Sequence, residues 1–477
     1  MTRRRPALIL AICCMSLLLV SLDTTAVNVA LPTLREEFDA SVSGLQWTID
    51  GYAVVLASFL ILSGSTGDRV GRRRTFRTGL VVFTLASVLC SLAPGLGWLI
   101  AARVLQAVGG SMLNPVAMSI ITNTFTEPRE RARAIGVWGG VVGISMAAGP
   151  LVGGLLVESV GWRSIFWINV PVGLLALALT ARFVPESRAP HPRRPDPVGQ
   201  GLVIVFLGGL TFAIIEAPDE GLGSPLILVP LAAALSALAA FVPYELRRRE
   251  PLIDPRFFRS APFTGATLIA VSAFAALAGF LFLNTLYLQE VRGYSPLEAG
   301  LWMLPMAAMT MVCAPLSGRL VGSYGPRPPL LVAGPLMAAT GVLFAAFTAE
   351  TSNAGLLVSY ILFGIGFGLV NAPITNTAVS GMPVAQAGVA AAVASTSRQT
   401  GNALGVAVIG AVLASGLGGG SFTDAARPAW WIVTGCGLTV LATGALTTGR
   451  WARTTAARTA ALLGSADARP ATPAKVP

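Results

Sequence analysis

Two carboxylates and two guanidinium groups stand in stretches of sequence that are otherwise apolar. Asp23 interrupts "LLLVSLDTTAVNVALP" (17–32), Asp50 lies in "WTIDGY" (47–52), Arg103 opens "RVLQAVGG" (103–110) and Arg398 opens "RQTGNALG" (398–405). A charged side chain at the centre of a bilayer costs about 2.5–3.5 kcal/mol on insertion scales, so such residues are retained for function. A carboxyl group withdrawn from water can take up and release a proton as the space beside it faces one side and then the other. Arginine stays charged in proteins and cannot shuttle a proton, but it can pair with a carboxylate and so govern when that carboxylate holds one. The chemistry suggested is the coupling of a proton movement to that of a second solute. The structural alternatives are equally definite. Asp23 could serve only as an acceptor for Thr24, Thr25 or Asn28. Asp50 could be a solvated or capping residue at the outer end of its helix, and Arg398 could reach for the membrane interface.

The elements that must hold these residues are helices. The chain has 477 residues, 54% hydrophobic and only 12% charged, against about 25% charged in a soluble domain. Fourteen apolar stretches approach the length needed to span a bilayer: 7–31, 46–66, 75–93, 97–124, 134–157, 164–184, 198–217, 225–244, 262–288, 297–319, 329–348, 354–379, 387–415 and 428–449. They lack period-two alternation and exceed the length of barrel strands, which makes them helices. The first, preceded by Arg3–Arg5, has the flanks of a signal peptide without a small-residue cleavage site and reads as an uncleaved first helix.

Placing the N-terminus in the cytoplasm leaves Arg35, Arg163, Arg292 and Arg427 outside and Arg103 and Arg398 within the membrane. All the rest of the 33 Lys and Arg residues fall on the cytoplasmic side. The surplus over 22 Asp and Glu is therefore a topology signal, and not a nucleic-acid footprint. The expected location is the cytoplasmic membrane, multi-pass, with both termini in the cytoplasm. The five cysteines lie in apolar runs without metal-ligand spacing, and the single histidine, His191, sits in a Pro/Arg-rich linker. A histidine-based zinc or catalytic site is thereby excluded, no nucleophile–base pair is apparent, and the chain reads as neither an enzyme nor the holder of a metal or cofactor.

An internal repeat is visible. "GSTGDRVGRR" (64–73) matches "GRLVGSYGPR" (318–327) at Gly64/Gly318, Gly71/Gly325 and Arg73/Arg327, while Asp68 is replaced by Gly322. Eight helices separate the copies. This divides the chain into a six-helix bundle (1–184), a linker with helices 7 and 8 (185–261), a second six-helix bundle (262–450) and a disordered Ala/Thr/Pro-rich tail (451–477). In repeats of this kind the substrate site lies between the halves.

Six motifs in order, "LDTTAVNVALP", "WTIDGY", "GSTGDRVGRRR", "RVLQAVGG", "GISMAAGPLVGG" (143–154) and "WRSIFWINVPVG" (162–173), resemble those of the major facilitator superfamily, in its fourteen-helix drug:proton antiporter branch. The resemblance implies an all-α membrane fold of two six-helix bundles plus two inserted helices. It implies proton coupling through Asp23, Asp50 and Arg103, and a conformational latch at Gly64, Gly67, Asp68, Arg69, Gly71 and Arg72. It also implies an antiporter motif at Gly143, Gly149, Pro150, Gly153 and Gly154. In the latch, Asp68 is expected to meet a helix N-terminus or an arginine such as Arg69 or Arg72. In the antiporter motif, Pro150 bends the helix and the glycines allow close packing or a kink. Asn28, Gln106, Asn114 and Arg398 are candidates to line a substrate cavity.

The function implied is export of an amphipathic small organic molecule in exchange for protons, with lipid, substrate and proton as partners and no cofactor. One charge crossing 100 mV supplies about 2.3 kcal/mol and one pH unit about 1.4, enough for a gradient of several hundred-fold. Proton-coupled uptake of a nutrient, and a receptor or scaffold without flux, are the alternatives. Helices 9 to 14 carry no clearly embedded acid, which disfavours dications. Neutral, monocationic and anionic substrates all fit, and the oligomeric state is open.

Overall fold

The computed structural model describes residues 4–189, 195–248, 250–380, 382, 386–417 and 421–467. Every regular element among these residues is a helix. Fourteen long helical elements follow one another: α1 (Arg4–Phe38), α2 (Val42–Val70), α3 (Arg72–Ser91), α4 (Leu96–Thr124), α5 (Pro128–Ser159), α6 (Ser164–Phe183), α7 (Pro197–Glu220), α8 (Pro225–Arg247), α9 (Ala261–Val291), α10 (Pro296–Tyr324), α11 (Arg327–Ala345), α12 (Asn353–Val379), α13 (Ala387–Gly416) and α14 (Phe422–Thr447). Thirteen are long and apolar enough to cross a bilayer; α3, whose first turns carry Arg72, Arg73, Arg74 and Arg77, is the other. His191 lies outside the described residues.

The sequence repeat has a counterpart in packing. In the first bundle α1 packs on α5 and α6, α2 on α4, and α3 on α4 and α6. The same five pairings recur eight helices later: α9 with α13 and α14, α10 with α12, and α11 with α12 and α14. The fold is thus the expected all-α membrane fold of two six-helix bundles. The inserted α7 packs on α2 of the first bundle and α13 of the second, and α8 packs on α7.

One expectation is corrected. The stretch from 451 forms a helix, α15 (Arg450–Asp467), where a disordered tail is expected. Ala452, Ala456, Thr459 and Leu463 recur at helical spacing and are buried, and Thr455 Oγ1 accepts a 3.0 Å hydrogen bond from the Ala261 N–H. The composition suggests disorder, but a stripe of small residues at period 3.6 suffices to dock a helix on a neighbour. Residues 468–477 lie outside the described set.

The bundles meet tightly in one half of the molecule and separate in the other. At the end opposite the Arg69–Arg77 cluster, Arg35 pairs with Glu290 at 2.9 Å and Gln289 donates to the Val29 carbonyl at 2.9 Å. Gln46 donates to the carbonyls of Val406 (3.0 Å) and Ala407 (2.8 Å), and the Leu297 N–H reaches Glu158 at 3.2 Å. The antiporter motif lies in this seam. A Cβ at Gly154 would lie 2.9 Å from Leu297 Cα on α10, and one at Gly153 would lie 2.9 Å from Ala26 Cα on α1. Small residues allow α5 to touch both bundles backbone to backbone. Toward the arginine-rich end the same two helices part. The Cβ positions of Gly136, Gly139 and Gly140 on α5, and of Gly318 and Gly322 on α10, have no atom within 4 Å.

Gly154→Val is therefore expected to wedge the closed seam apart. Overpacking of this kind costs about 1–3 kcal/mol against the observed state. The measurement is a lengthened distance between spin labels at Glu36 and Glu350, exposed positions on the two bundles at this end.

Candidate transport site

Asp23 is fully buried on α1 and its carboxylate is saturated with donors. Arg103 Nη1 of α4 donates to Oδ2 in a direct ion pair. Oδ1 accepts 2.9 Å hydrogen bonds from Gln106 Nε2, one helical turn beyond Arg103, and from Asn169 Nδ2 of α6. Arg103 is itself only 1% exposed. It also donates to Gln106 Oε1 at 2.6 Å and to the Thr48 carbonyl of α2 at 3.3 Å, and its guanidinium lies 4.3 Å from the Tyr52 ring centroid. Gln106 completes the cage by donating to Ser87 Oγ on α3 at 2.9 Å. Every partner belongs to the first bundle. Thr24, Thr25 and Asn28, the expected alternative donors to Asp23, instead donate to carbonyls of their own helix, those of Val20, Ser21 and Thr24.

Asp50 differs. It lies on α2 one turn beyond Gln46, on the face turned to α13, and is fully buried, with neither carboxyl oxygen hydrogen-bonded among the described residues. The solvated or capping role expected as its alternative does not apply.

Beside the cage lies a cavity of about 170 Å³, lined by both bundles. Asn28, Arg103 and Asn114 supply polar atoms from the first bundle, and Gln399 and Asn402 from the second, with Tyr52, Phe274 and Leu277 among the apolar walls. Of the four candidate lining residues, Asn28 and Asn114 are in place. Gln106 is committed to the Asp23 cage. Arg398 is one turn from Asn402 but does not line the cavity; its Nη2 donates to Thr375 Oγ1 at 2.6 Å and its guanidinium lies 5.9 Å from the Phe274 ring centroid. It does not reach for the interface. Asn169, Gln399 and Asn402 carry no assigned role in the sequence reading, although Asn169 falls within "WRSIFWINVPVG" and the other two within "RQTGNALG".

The loop between α2 and α3 is ordered by charge. Asp68 accepts from Arg72 Nε (3.0 Å) and Nη2 (2.9 Å), one of the pairings expected; Arg69 is exposed. Gly64 and Gly67 face Pro115 and Val116 of α4. Glu186, after α6, accepts the Arg73 N–H at 3.1 Å, at the N-terminus of α3 where an anion is favoured. Gly71 has φ +128°, and a Cβ there would lie 2.7 Å from Glu186 Oε1. Gly71→Ala is expected to strain the backbone by about 1–3 kcal/mol and to displace Glu186, lowering the melting temperature of the purified protein. Of the antiporter glycines, Gly143 packs loosely, 3.9 Å from Met311, and Gly149 meets Thr25. Pro150 lies inside α5, and its backbone packs on Gly300 of α10.

A buried acid–arginine pair beside a cavity shared by two repeated six-helix bundles defines a membrane transporter. The Major Facilitator Superfamily profile matches residues 13–406. The chain is 40% identical over 403 residues to multidrug resistance protein Stp of Mycobacterium tuberculosis (84% of this chain, 75% of that protein). It is 38% identical over 423 residues to the tetracenomycin C resistance and export protein of Streptomyces glaucescens (87% and 77%), and 36% identical over 398 residues to the methylenomycin A resistance protein of Streptomyces coelicolor (83% and 83%). In fold it is similar to the inward-facing, unoccupied structure of a bacterial homologue of the lysosomal transporter Spinster. That match has TM-score 0.63 and 19% identity, and covers 99% of this chain and 100% of the other. It is also similar to a D-xylose–proton symporter (TM-score 0.65, 16% identity, 92% and 96%). The chain belongs to the major facilitator superfamily, in its multidrug and antibiotic efflux group, and is a multi-pass membrane transporter and not an enzyme.

Proposed function

We propose that this protein exports an amphipathic drug, antibiotic or similar small organic molecule across the cytoplasmic membrane in exchange for protons. It works by alternating access of the unit 1–184 against the unit 262–450, with 185–261 between them. The observation that carries this reading is the buried Asp23–Arg103 pair, whose arginine adjoins a cavity that both bundles line. Relatives named for resistance and export support the direction. The Lys/Arg bias puts the arginine-rich end and both termini in the cytoplasm, so the cavity faces inward in the observed state.

Asp23 and Asp50 divide the work. Ionised Asp23 is held by Arg103. A proton arriving on Asp23 removes the charge attraction and frees Arg103, whose position against the cavity wall then changes. Asp50 is the second proton carrier, facing the α2–α13 seam that opens when the cavity turns outward. In the inward-facing state the Asp68 loop is held within the first bundle and by residues 186–189 that follow it; it latches when the cytoplasmic halves of α5 and α10 close. Reconstituted vesicles test this directly. An outward drug flux must be accompanied by counterflow of protons and must respond to an imposed pH step; drug movement indifferent to both overturns the reading. Asp50→Asn is expected to leave the protein folded and inserted, because it keeps the size of the side chain while removing its capacity to carry a proton. The same variant should weaken the response of flux to external pH, measured in the same vesicles.

A further inference from the structure

A second cavity, about 280 Å³, lies between the inserted pair α7–α8 and the second bundle. Its walls are hydrocarbon: Phe206 of α7, Leu238 and Val242 of α8, Phe258 of the turn before α9, Val271 of α9 and Val393 of α13. Two of its four hydroxyl groups are turned away into their own helices, Thr267 to the Phe263 carbonyl at 3.1 Å and Ser397 to the Val393 carbonyl at 2.8 Å. Leu238, Val242 and Phe258 remain 41–44% exposed. The crevice does not continue into the central cavity. Its back wall is α9 against α13, packed so closely that a Cβ at Gly401 would lie 2.9 Å from Val271 Cα and one at Gly405 would lie 2.6 Å from Ala275 Cα. Cargo entering here has no path to the transport site.

We propose that this crevice holds one acyl chain of an anionic phospholipid from the leaflet at the arginine-rich end. The chain chemistry follows from the walls. The head-group charge follows from the arginines that adjoin the lining residues along α8 and the turn before α9. Arg248 is engaged with Asp196 at 3.6 Å and Arg256 with Asp254 at 3.5 Å. Arg247, at the end of α8, and Arg259, next to Phe258, are exposed and form no ion pair among the described residues. A phosphodiester there meets uncompensated positive charge, and each arginine near a membrane surface favours an anionic lipid about fivefold.

The location gives the lipid a use. α7 is fastened to α2 along its length, by Gln200 to the Ser58 carbonyl (2.6 Å), Trp47 to Glu216 (2.6 Å) and Ser43 to Asp219 (2.9 Å). The crevice therefore lies at a joint where α7, hydrogen-bonded to α2 of the first bundle and packed on α13, meets the second bundle. A fluid chain fills that joint without fixing it.

The test uses the full-length protein purified in detergent, with palmitoyl-oleoyl phosphatidylglycerol and phosphatidylcholine as probes and native mass spectrometry as the readout. Wild type is expected to retain one phosphatidylglycerol in preference to phosphatidylcholine. Leu238→Trp and Val242→Trp, both at half-exposed positions and each checked for monodispersity, fill the crevice and are expected to weaken that binding at least about tenfold. Arg247→Gln/Arg259→Gln keeps a bound lipid but loses the preference for phosphatidylglycerol. Undiminished retention in both tryptophan variants overturns the proposal. So does equal retention of the two lipids by wild type, or one-for-one displacement of the lipid by a lipophilic drug, which would make the crevice a cargo site. None of these readouts requires transport, so they stand apart from the proton-coupling test.

Discussion

Asp23→Asn is expected to abolish proton-driven efflux while the protein still reaches the membrane. Asparagine matches the carboxylate in size and can still accept one hydrogen bond, so the cage is not emptied. It cannot hold a transferable proton at this position, and its amide places a donor where Arg103, Gln106 and Asn169 all donate. The driving term lost is the whole of one proton's contribution, about 2.3 kcal/mol per 100 mV and about 1.4 per pH unit. A several-hundred-fold drug gradient should collapse to about one. Drug accumulation in a pump-deficient host with and without an uncoupler measures it: the variant should match the uncoupled wild type. Uncoupler-sensitive efflux by the variant would show that Asp23 is not the coupling group.

Arg103→Leu is expected to be the most destabilising single change in the transport site. It leaves the buried carboxylate with Gln106 and Asn169 but without its counter-ion, and breaking a buried pair from one side costs about 3–5 kcal/mol. It also removes the guanidinium stacked on Tyr52 and the donor to the Thr48 carbonyl, which tie α4 to α2. Thermal unfolding of the purified protein should show a clearly lowered midpoint. Asp23→Asn/Arg103→Leu should recover most of that loss, because a neutral pair carries no unpaired charge. A double variant as unstable as Arg103→Leu would mean that the packing of the arginine, and not its charge, is what the site needs.

The helices were legible because apolar run length is a local property of the chain. So was the suspicion attached to Asp23, Asp50 and Arg103, since a charge in an apolar run stands out wherever it folds. Their relationship was not legible. Asp23 and Arg103 are brought together by the packing of α1, α4 and α6, and nothing near either residue in sequence announces the other. Gln106 illustrates the same limit: a polar residue in a spanning helix could face cavity or cage, and the direction is decided by whether Asp23 lies across from it. Asn169, Gln399 and Asn402 are uncharged amides, and their type alone does not tell whether they face a cavity or a neighbouring helix. The α15 helix was masked by an Ala/Thr composition that favours no strong hydrophobic stripe until a partner surface is known.

The Asp23 cage draws on α1, α2, α3, α4 and α6 and on nothing from α9–α14, whereas the cavity takes Phe274, Leu277, Gln399 and Asn402 from the latter group. The motor is thus confined to one half of the gene, while the palate is shared between both. Such an arrangement allows the set of compounds recognised to diversify through changes in the second half's share of the wall while the energy-converting pair stays constant, so that new resistances can arise without reinventing the engine.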